Sequence, residues 1–359
     1  MVSEGVGGAL HKRARGAGLP DAGVRGSVYY QDKLQTLQRI FGVKDIAVEH
    51  DILRVGQRRF PIIHDVIVLS DPGRATERVK ARLGLQAEKR TPASQGPDEA
   101  VQFSFGAEWT EYSDLLPEHQ KEFAQYFDLV DLSKLRHARV CDLGCGIGRW
   151  SYFLKDLCQE IILVDFSDAI FVARQNLSGA NHCLFFMGDL QALPFQPDYC
   201  DFLFCLGVLH HLPTPCLEAV RRLRQCAPLI LVFVYYALDN RPRYFRWLLG
   251  AVTVARRGLC RIRQPRFRKW FSRAGALLIY KPLVYIGQML RMLNLGHLVP
   301  LSEFYRNKSL RRIEQDVYDR FFTSIEQRVS REDILGLRDS FADVVVSDRL
   351  PYWHFLCVR

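Results

Sequence analysis

The sequence predicts an α/β protein built on a mostly parallel sheet with helices on both faces, and two features indicate this. From Arg139 onward, apolar strand-like pieces alternate with helix-like pieces at intervals of roughly 20–25 residues, the pattern of a parallel sheet. The run PLILVFVYY is apolar throughout, which is typical of a central strand covered on both faces. Two further strand-like pieces, ADVVVSD and YWHFLCV, close the chain and predict a terminal strand pair.

Segments with helical spacing or helix-start signals separate the strands of this sheet. In chain order, the predicted strands are RVCDL, IILVD, CLFFMGD, DFLFCLG and PLILVFVYY. After the first strand, apolar residues recur at i, i+3, i+4 and i+7 from Trp150 to Leu157, which predicts a helix with one buried face. Ser167 and Ser330 are candidate N-caps, and the Thr-Pro pair at 214–215 favours a helix start.

The part of the chain that precedes the sheet divides into three segments. Residues 1–29 are glycine-rich and have no apolar period, so we expect a flexible tail. Within residues 30–70, a short helix is predicted from Gln31 to Gly42, and IAVEHDILRVGQRRFPIIHDVIVL then predicts two or three strands of a small hairpin unit. Residues 71–100 are charged and contain proline, which is typical of a linker.

The composition is that of a globular protein: 48% of the 359 residues are hydrophobic and 25% are charged, which excludes a fully disordered chain. The longest apolar run has 12 residues, too few to span a bilayer, and no apolar stretch follows the basic residues of the first 30. The chain has 10 cysteines but no CxxC pair. We therefore expect reduced, mostly buried thiols, no metal site and a cytoplasmic location.

Positive charge is concentrated in one segment. Residues 241–300 contain 13 of the 49 Lys and Arg and none of the 39 Asp and Glu, so the net charge of +10 originates there. We predict that residues 241–320 form a basic helical insertion, a lid, between the fifth strand and the closing elements. Its aromatic and arginine content is typical of helices that lie in a membrane interface and attract anionic lipid.

A glycine-rich turn follows the first predicted strand of the sheet. It reads Asp142-Leu-Gly144-Cys145-Gly146-Ile-Gly148 and opens a helix. Glycines allow a tight turn and let a ligand lie against main-chain N–H groups at a helix N-terminus. Dinucleotide sites use a similar turn, so this motif alone does not select the ligand.

Two more acids follow the next two strands and narrow the choice of ligand. Asp165 ends the second strand, 21 residues after Gly144, where a ribose diol is gripped in nucleotide-binding folds. Asp189 ends the third strand and is placed to accept from an adenine amino group. Together with Asp142, these acids predict a site for an adenosine that carries a ribose but no pyrophosphate.

Four segments resemble class I S-adenosylmethionine-dependent methyltransferases, in particular the small-molecule group that contains ubiquinone and sterol methylases. The segments are DLGCGIG, LVDFS, MGDLQALPF and DFLFCLGVLHHLP, and the resemblance covers Phe103 to Arg359 except for the basic segment. It implies a Rossmann-like, seven-stranded methyltransferase sheet whose two parts are residues 101–240 and 321–359. It also implies S-adenosyl-L-methionine as the cofactor.

The resemblance assigns a role to each residue at the strand ends. It places the turn from Gly144 to Gly148 around the methionine part of the cofactor and the backbone around Leu206 beside the sulfonium. It places Asp165 on the ribose hydroxyls. Phe166 is expected on the face of the adenine, and Asp189 with Leu190 on its edge.

Two N-terminal segments resemble accessory parts of these enzymes. FGAEWTEY resembles a stretch that precedes the core in relatives and folds over the cofactor, which adds Trp109 to the predicted cofactor-binding residues. VGQRRFPIIHDVIVL resembles the end of a zinc-ribbon-like unit found ahead of some relatives, but the cysteines of that unit are absent here. We therefore predict a metal-free hairpin.

His210 and His211 are the candidate catalytic residues. An imidazole titrates near neutrality, so either could act as general base on the methyl acceptor, whereas adjacent histidines after a strand also serve simply to cap a loop. Cys145 is predicted to be a small filler of the turn because no His or Asn motif accompanies it as a nucleophile would require.

The sequence favours methyl transfer to an O or C nucleophile of a small or lipophilic molecule. The fourth strand ends in CLGV and lacks the Asn/Asp-Pro-Pro-aromatic tetrad, which argues against methylation of exocyclic base amines. The alternatives are an RNA-binding methyltransferase and a cofactor-binding, non-catalytic assembly protein. Residues 241–300 are expected to contact the inner face of an anionic membrane; nucleic acid is less favoured because no RNA-reading module accompanies them.

Overall fold

The computed structural model describes residues 28–70, 76–84, 112–349 and 352–359. Nearly all of the predicted tail, most of the predicted linker and Trp109 lie outside these ranges, so the predictions for them stay predictions.

The described residues form an 11-stranded sheet in the order β1-β2-β3-β4-β7-β6-β5-β8-β9-β11-β10. Its strands are β1 (Ile46–Glu49), β2 (Ile52–Val55), β3 (Arg58–Ile63), β4 (Val66–Val68), β5 (Arg139–Leu143), β6 (Glu160–Asp165), β7 (Cys183–Met187), β8 (Phe202–Leu206), β9 (Leu229–Phe233), β10 (Asp343–Val346) and β11 (His354–Val358).

The predicted mostly parallel sheet is confirmed. Strands β7, β6, β5, β8 and β9 are parallel neighbours, β11 is antiparallel to β9, and β10 is antiparallel to β11. These are the seven strands that the resemblance implies, and buried apolar side chains cover both of their faces. The carboxyl ends of the parallel strands share one edge, where ligands bind in folds of this kind.

The sheet contains more than the predicted seven strands because the N-terminal unit extends its edge. β1 to β4 form an antiparallel meander, and β4 pairs in parallel with β7. The prediction of two or three strands there is wrong: there are four among the described residues. His64 and Asp65 turn the chain between β3 and β4 with φ values of 47° and 62°. Hairpin turns of this kind usually contain Asn-Gly or Asp-Gly, so His-Asp gave no signal.

Along the chain, the helices of the core lie before and between the strands. They are α1 (Leu34–Phe41), α2 (Glu77–Arg82), α3 (Glu118–Tyr126), α4 (Arg149–Leu154), α5 (Ala169–Asn176) and α6 (Cys216–Leu223), with α12 (Arg331–Leu335) before β10. The predicted end of α1 is confirmed, since Gly42 has a φ of 68° and caps the helix through its N–H. Ser330 caps α12 in a reciprocal capping box with Asp333.

Helix α4 is shorter than its apolar spacing predicts. It ends at Leu154, and Leu157 lies in a turn with 38% of its surface exposed. The i, i+7 position therefore does not continue the buried face that Trp150 and Leu154 form.

The predicted insertion is helical. Its elements are α7 (Arg243–Leu259), α8 (Pro265–Gly275), a π-helical turn (Ala276–Tyr280), α9 (Lys281–Arg291), α10 (Ser302–Tyr305) and α11 (Leu310–Phe322). Apolar side chains of the π-helical turn, α9, α10 and α11 form a buried cluster of their own. This helical layer lies over the carboxyl edge of the parallel strands, because residues from both line one cavity.

Candidate active site

A cavity of about 1120 Å³ lies between the carboxyl edge of the sheet and the insertion. Pockets for one drug-sized ligand have volumes of roughly 300–1,000 Å³, so this space can hold two small molecules side by side. Eight of the predicted cofactor-binding residues line it: Gly144, Cys145, Gly146, Asp165, Phe166, Asp189, Leu190 and Leu206.

The glycine-rich turn follows β5 and needs its glycines for conformation and for space. Gly144, Gly146 and Gly148 have positive φ values of 81°, 53° and 71°. A Cβ on Gly144 would lie 2.4 Å from Cγ2 of Val208, the residue that follows β8 and Gly207. The turn can therefore approach the end of β8 only if position 144 has no side chain.

The main-chain N–H groups of this turn are used differently from the prediction. Gly144 and Cys145 donate to the Val164 carbonyl at 2.8 and 3.0 Å, and Gly146 donates to Asp165 Oδ2 at 2.8 Å. These three donors are already engaged within the protein. The turn can offer a ligand its shape and close backbone approach, and it holds Asp165 in place.

Asp165, at the end of β6, accepts three hydrogen bonds from its own surroundings. Besides the Gly146 N–H, the backbone N–H and hydroxyl of Ser167 donate to Oδ1 at 2.9 and 2.6 Å. A carboxylate has about four acceptor positions, so room remains for about one further hydrogen bond toward the cavity. Burial raises the pKa of this carboxyl, and these donors oppose the rise.

Asp142 lies beneath the turn and does not line the cavity. It is 2% exposed, and its Oδ2 accepts from the Ser151 hydroxyl of α4 at 2.7 Å. Burial raises the pKa of Asp142 to about 7. Gly148 also lies behind the cavity wall, where a Cβ would be 3.1 Å from Ala173. Asp142 thus ties the end of β5 to α4, and neither residue lines the cavity.

Cys145 lines the cavity but is only 4% exposed. Burial raises the pKa of its thiol well above the ordinary value, so the group stays protonated near neutral pH. This agrees with its predicted role as a filler of the turn. All 10 cysteines are free thiols, most of them buried.

The two candidate catalytic histidines occupy different environments. His211 lines the cavity, and its Nδ1 lies 2.7 Å from the Ile325 carbonyl, which can only accept. In the neutral ring this bond fixes the proton on Nδ1 and leaves Nε2 as an acceptor. His210 is fully buried, does not line the cavity, and stacks on Tyr235 with ring centroids 3.9 Å apart. Burial lowers its pKa well below the ordinary value. His210 is thus not placed to contact an acceptor.

A carboxylate from the insertion faces His211. Asp319 of α11 has Oδ1 3.9 Å from His211 Nε2, and its Oδ2 accepts from the Tyr235 hydroxyl at 2.7 Å. Thr323 also donates to Asp319, at 3.1 Å. Sequence reasoning missed Asp319 and Tyr235. The only available signal was the return of acidic residues after position 300, in a helix that also carries arginines.

Buried ion pairs hold the insertion on the core. Glu122 of α3 pairs with Lys308 and with Arg312 of α11, whose Nε lies 3.2 Å from the carboxylate. Although burial alone would raise the pKa of Glu122, the charges of Arg312 and Lys308 lower it overall. Removing one partner of such a pair leaves a buried charge uncompensated, which costs about 3–5 kcal/mol. These ion pairs therefore stabilise the position of the insertion over the cavity.

No group of three or more His, Cys, Asp or Glu side chains within the described ranges is arranged to hold a metal ion. None of the helices in that part of the chain has the length and hydropathy needed to cross a bilayer.

Residues 140–227 match a family model described as a methyltransferase domain. The match begins at β5, includes the glycine-rich turn, Asp165, Asp189 and both histidines, and ends before β9. Together with the sheet, it identifies this part of the chain as a methyltransferase domain of the class I, S-adenosylmethionine-dependent type.

A curated relative, the tRNA U34 carboxymethyltransferase of Trichodesmium erythraeum, is 24% identical to the chain over 164 residues. The aligned part is 45% of this chain and 47% of the relative. The chain thus spans about half the length of the curated relative that it matches.

Solved structures of low sequence identity are also similar. Phosphoethanolamine N-methyltransferase 1 of Haemonchus contortus is 16% identical, with 43% of this chain and 36% of that chain covered and a TM-score of 0.35. The DhpI-SAM-HEP complex is 15% identical, with 74% and 99% covered and a TM-score of 0.43. The domain assignment rests on the family match and the sheet, not on these likenesses.

The raised pKa of Asp142 predicts how stability depends on pH. Because the folded-state pKa (about 7) exceeds the ordinary value of 3.8, folding favours the protonated form, and this contribution is lost as pH rises from about 4 to 7. Asp142→Asn is neutral and keeps an oxygen to accept from Ser151. In urea unfolding, the free energy of unfolding of this variant minus that of wild type should increase from pH 4 to pH 7, by at most about 4 kcal/mol.

The matched control is Asp156→Asn, which changes an exposed carboxylate just after α4. Its free energy of unfolding should stay within about 0.5 kcal/mol of wild type at each pH. If the free energies of unfolding of Asp142→Asn and wild type differ by a constant amount from pH 4 to pH 7, the pKa of Asp142 is not raised by folding.

Proposed function

We propose that the whole protein is an S-adenosylmethionine-dependent methyltransferase that acts on an O or C nucleophile of a small or lipophilic molecule. The observation that carries this proposal is that the strand-end residues of the methyltransferase domain and residues of the insertion line the same cavity. Its volume suits a cofactor on the sheet side and an acceptor on the insertion side.

The residues on the sheet side fit the proposed cofactor. Asp165 has acceptor capacity left for a ribose hydroxyl, and the Phe166 ring lines the cavity where it can pack on a flat base. Asp189 and Leu190 line the wall after β7, and Leu206 ends β8 beside the glycine-rich turn. When bound there, the cofactor supplies an activated methyl group on a cationic sulfur.

The residues on the insertion side fit alignment of an acceptor. Transfer of an activated methyl group requires mainly that the nucleophile be held in line and water be excluded, which can contribute on the order of 7–11 kcal/mol. His211 lines this space, and its Nε2, the acceptor nitrogen of the neutral ring, can take the proton from an acceptor hydroxyl or acidic C–H as the new bond to carbon forms. Asp319 then stabilises the positive charge on the ring.

A single substitution separates a catalytic role of His211 from a structural one. In His211→Asn, the amide nitrogen can replace Nδ1 as donor to the Ile325 carbonyl, but no base remains at the position of Nε2. We expect unchanged cofactor affinity and a loss of turnover on the order of 10²–10⁴-fold. Turnover is measured as transfer of labelled methyl from the cofactor into the lipid, polar or RNA fraction of a cell extract.

The control for this experiment is His137→Asn, which changes an exposed histidine outside the cavity and should keep full activity. If His211→Asn retains full turnover on the labelled fraction, His211 is not the base. If wild-type protein binds the cofactor but labels none of the fractions, the alternative of a non-catalytic assembly protein is favoured.

The outer surface of the insertion supports a proposal about partners. Apart from Val28, Leu157 and Val345, all large hydrophobic side chains exposed by the described residues lie between Tyr244 and Leu298. The most exposed are Trp247, Leu278 and Met292, at 79%, 75% and 90%. Exposed apolar patches of this extent mark interaction sites.

Basic side chains accompany this apolar surface, although not all of them face solvent. Arg256 and Arg268 are buried, and Arg268 donates to the Ile262 carbonyl at 2.7 Å. Those that the structure exposes are Arg243, Arg246, Arg257, Arg261, Arg266, Lys269, Arg273 and Arg291.

These exposed residues support docking of the insertion on an anionic membrane surface, as the sequence predicts for residues 241–300. Exposed tryptophans and aliphatic side chains beside arginines suit the boundary between headgroups and acyl chains. Leu248 and Ile279 line the cavity and are 50% and 54% exposed, so the mouth of the cavity lies at this surface. A lipophilic acceptor could then enter directly from the membrane.

Liposome flotation at about 0.1 M salt tests this docking. We expect the full chain to float with vesicles that contain anionic phospholipid and to float less with neutral vesicles. The double variant Trp247→Ser, Leu278→Ser should lose most of this binding, whereas Leu157→Ser, on the core, should keep it. Flotation with neither vesicle, or equal flotation of the double variant, contradicts docking. Salt-sensitive binding of a short RNA without flotation favours the RNA alternative instead.

A further inference from the structure

Most of the arginines that line the cavity have a carboxylate partner. Arg241 pairs with Glu303 at 2.6 Å, Arg328 pairs with Glu326 at 2.7 Å, and Arg312 pairs with Glu122 and Asp316. Arg149 lies over the Trp150 ring at 4.5 Å. The cavity wall is therefore rich in charge, but most of this charge is compensated within the protein.

Arg320 of α11 differs from these arginines. No carboxylate oxygen of the described residues lies within 4.0 Å of its guanidinium nitrogens. Its Nε atom is buried and has no hydrogen-bond partner in the part of the chain that the structure describes. The side chain lines the cavity, with its guanidinium carbon 6.0 Å from the centre of the Tyr235 ring.

The acids around Arg320 are already engaged by other groups. On the same helix, Asp316 pairs with Arg312, and Asp319 accepts from Tyr235 and Thr323. Glu326, from the segment after α11, pairs with Arg328 and lies 3.5 Å from Arg256. The charge of Glu326 still acts on Arg320, but none of these three acids has an oxygen within 4.0 Å of its guanidinium nitrogens.

Two tyrosines that line the same cavity lie close enough to Arg320 to interact with its charge. The rings of Tyr280 and Tyr305 are 5.1 Å apart, and both residues are buried and line the cavity. Neither hydroxyl has a hydrogen-bond partner among the described residues, and neither is sealed from the cavity. Burial raises the pKa of both hydroxyls, so they remain protonated and can donate.

We propose that Arg320, together with the hydroxyls of Tyr280 and Tyr305, binds an anionic group of the methyl acceptor, a carboxylate or a phosphate. A guanidinium withdrawn from water is costly without a counter-charge, and its fork of N–H donors matches the two oxygens of such an anion. Arg320 and His211 line the same cavity, so one acceptor can place its anion at Arg320 and its nucleophile toward His211. This inference rests on the proposed function and names its substrate class.

Calorimetry on the full chain saturated with S-adenosylhomocysteine tests the proposal with simple probes. Octanoate and octyl phosphate carry the two candidate anions, and octanamide is the neutral analogue. We expect at least one anion to bind wild type tenfold or more tightly than octanamide. Arg320→Gln should abolish this preference, and the double variant Tyr280→Phe, Tyr305→Phe should weaken anion binding severalfold. Arg311→Gln, on the exposed side of the same helix, is the matched control and should behave as wild type.

Arg320→Gln is expected to fold, because the Arg320 guanidinium forms no ion pair within 4.0 Å among the described residues. Thermal unfolding checks this, and the tyrosine double variant gives an independent test if the glutamine variant does not fold. Equal binding of the anions and octanamide by wild type overturns the proposal. So does an Arg320→Gln variant that keeps the anion preference, or one that loses affinity for S-adenosylhomocysteine instead, which would place the cofactor carboxylate at Arg320.

The proposed function can fail separately in these experiments. If wild type does not bind S-adenosylhomocysteine, the cofactor assignment fails, and the same anion titrations on the protein alone still decide whether Arg320 forms an anion site.

Discussion

The carboxylate of Asp165 is the constraint on which the site depends. One oxygen accepts from Gly146 in the turn after β5, and the other accepts from the backbone and hydroxyl of Ser167, just before α5. One buried group thus fixes the turn, the end of β6 and the following helix relative to one another. Its burial opposes ionisation, and the three donors offset part of that effect. These hydrogen bonds join the three parts that form the sheet side of the cavity.

The insertion covers the cavity and is held on the core by ion pairs. Glu122 and Arg312 fasten α11 to the core, and Asp319 on the same helix reaches Tyr235 and faces His211. The insertion therefore supplies polar groups to the site as well as a cover. Its outer surface is apolar and basic, so the inner and outer sides of one helical layer serve two proposed partners, the acceptor and the membrane.

The parallel sheet and its ligand-binding edge were predictable because strand periodicity, glycine turns and strand-end acids are local signals. The same signals put Asp142 and Asp165 in one class, although the structure gives them different positions: Asp142 is bonded to Ser151 of α4, and Asp165 lines the cavity. Sequence could not separate His210 from His211, because the difference lies in the Ile325 carbonyl and the Tyr235 ring, contacts made across long stretches of chain. Contacts between residues that are far apart in the chain have no characteristic spacing in the sequence, so they could not be predicted.

The most direct test of the account is the affinity of the full chain for S-adenosylhomocysteine, measured by calorimetry in wild type and in Asp165→Asn. The account predicts that wild type binds it and that the variant, if circular dichroism shows it folded, binds about 10–100-fold more weakly, because a hydrogen bond to a charged acceptor is lost. A nicotinamide dinucleotide should give no heat. No binding by wild type, equal affinity in the folded variant, or binding of the dinucleotide instead would contradict the account.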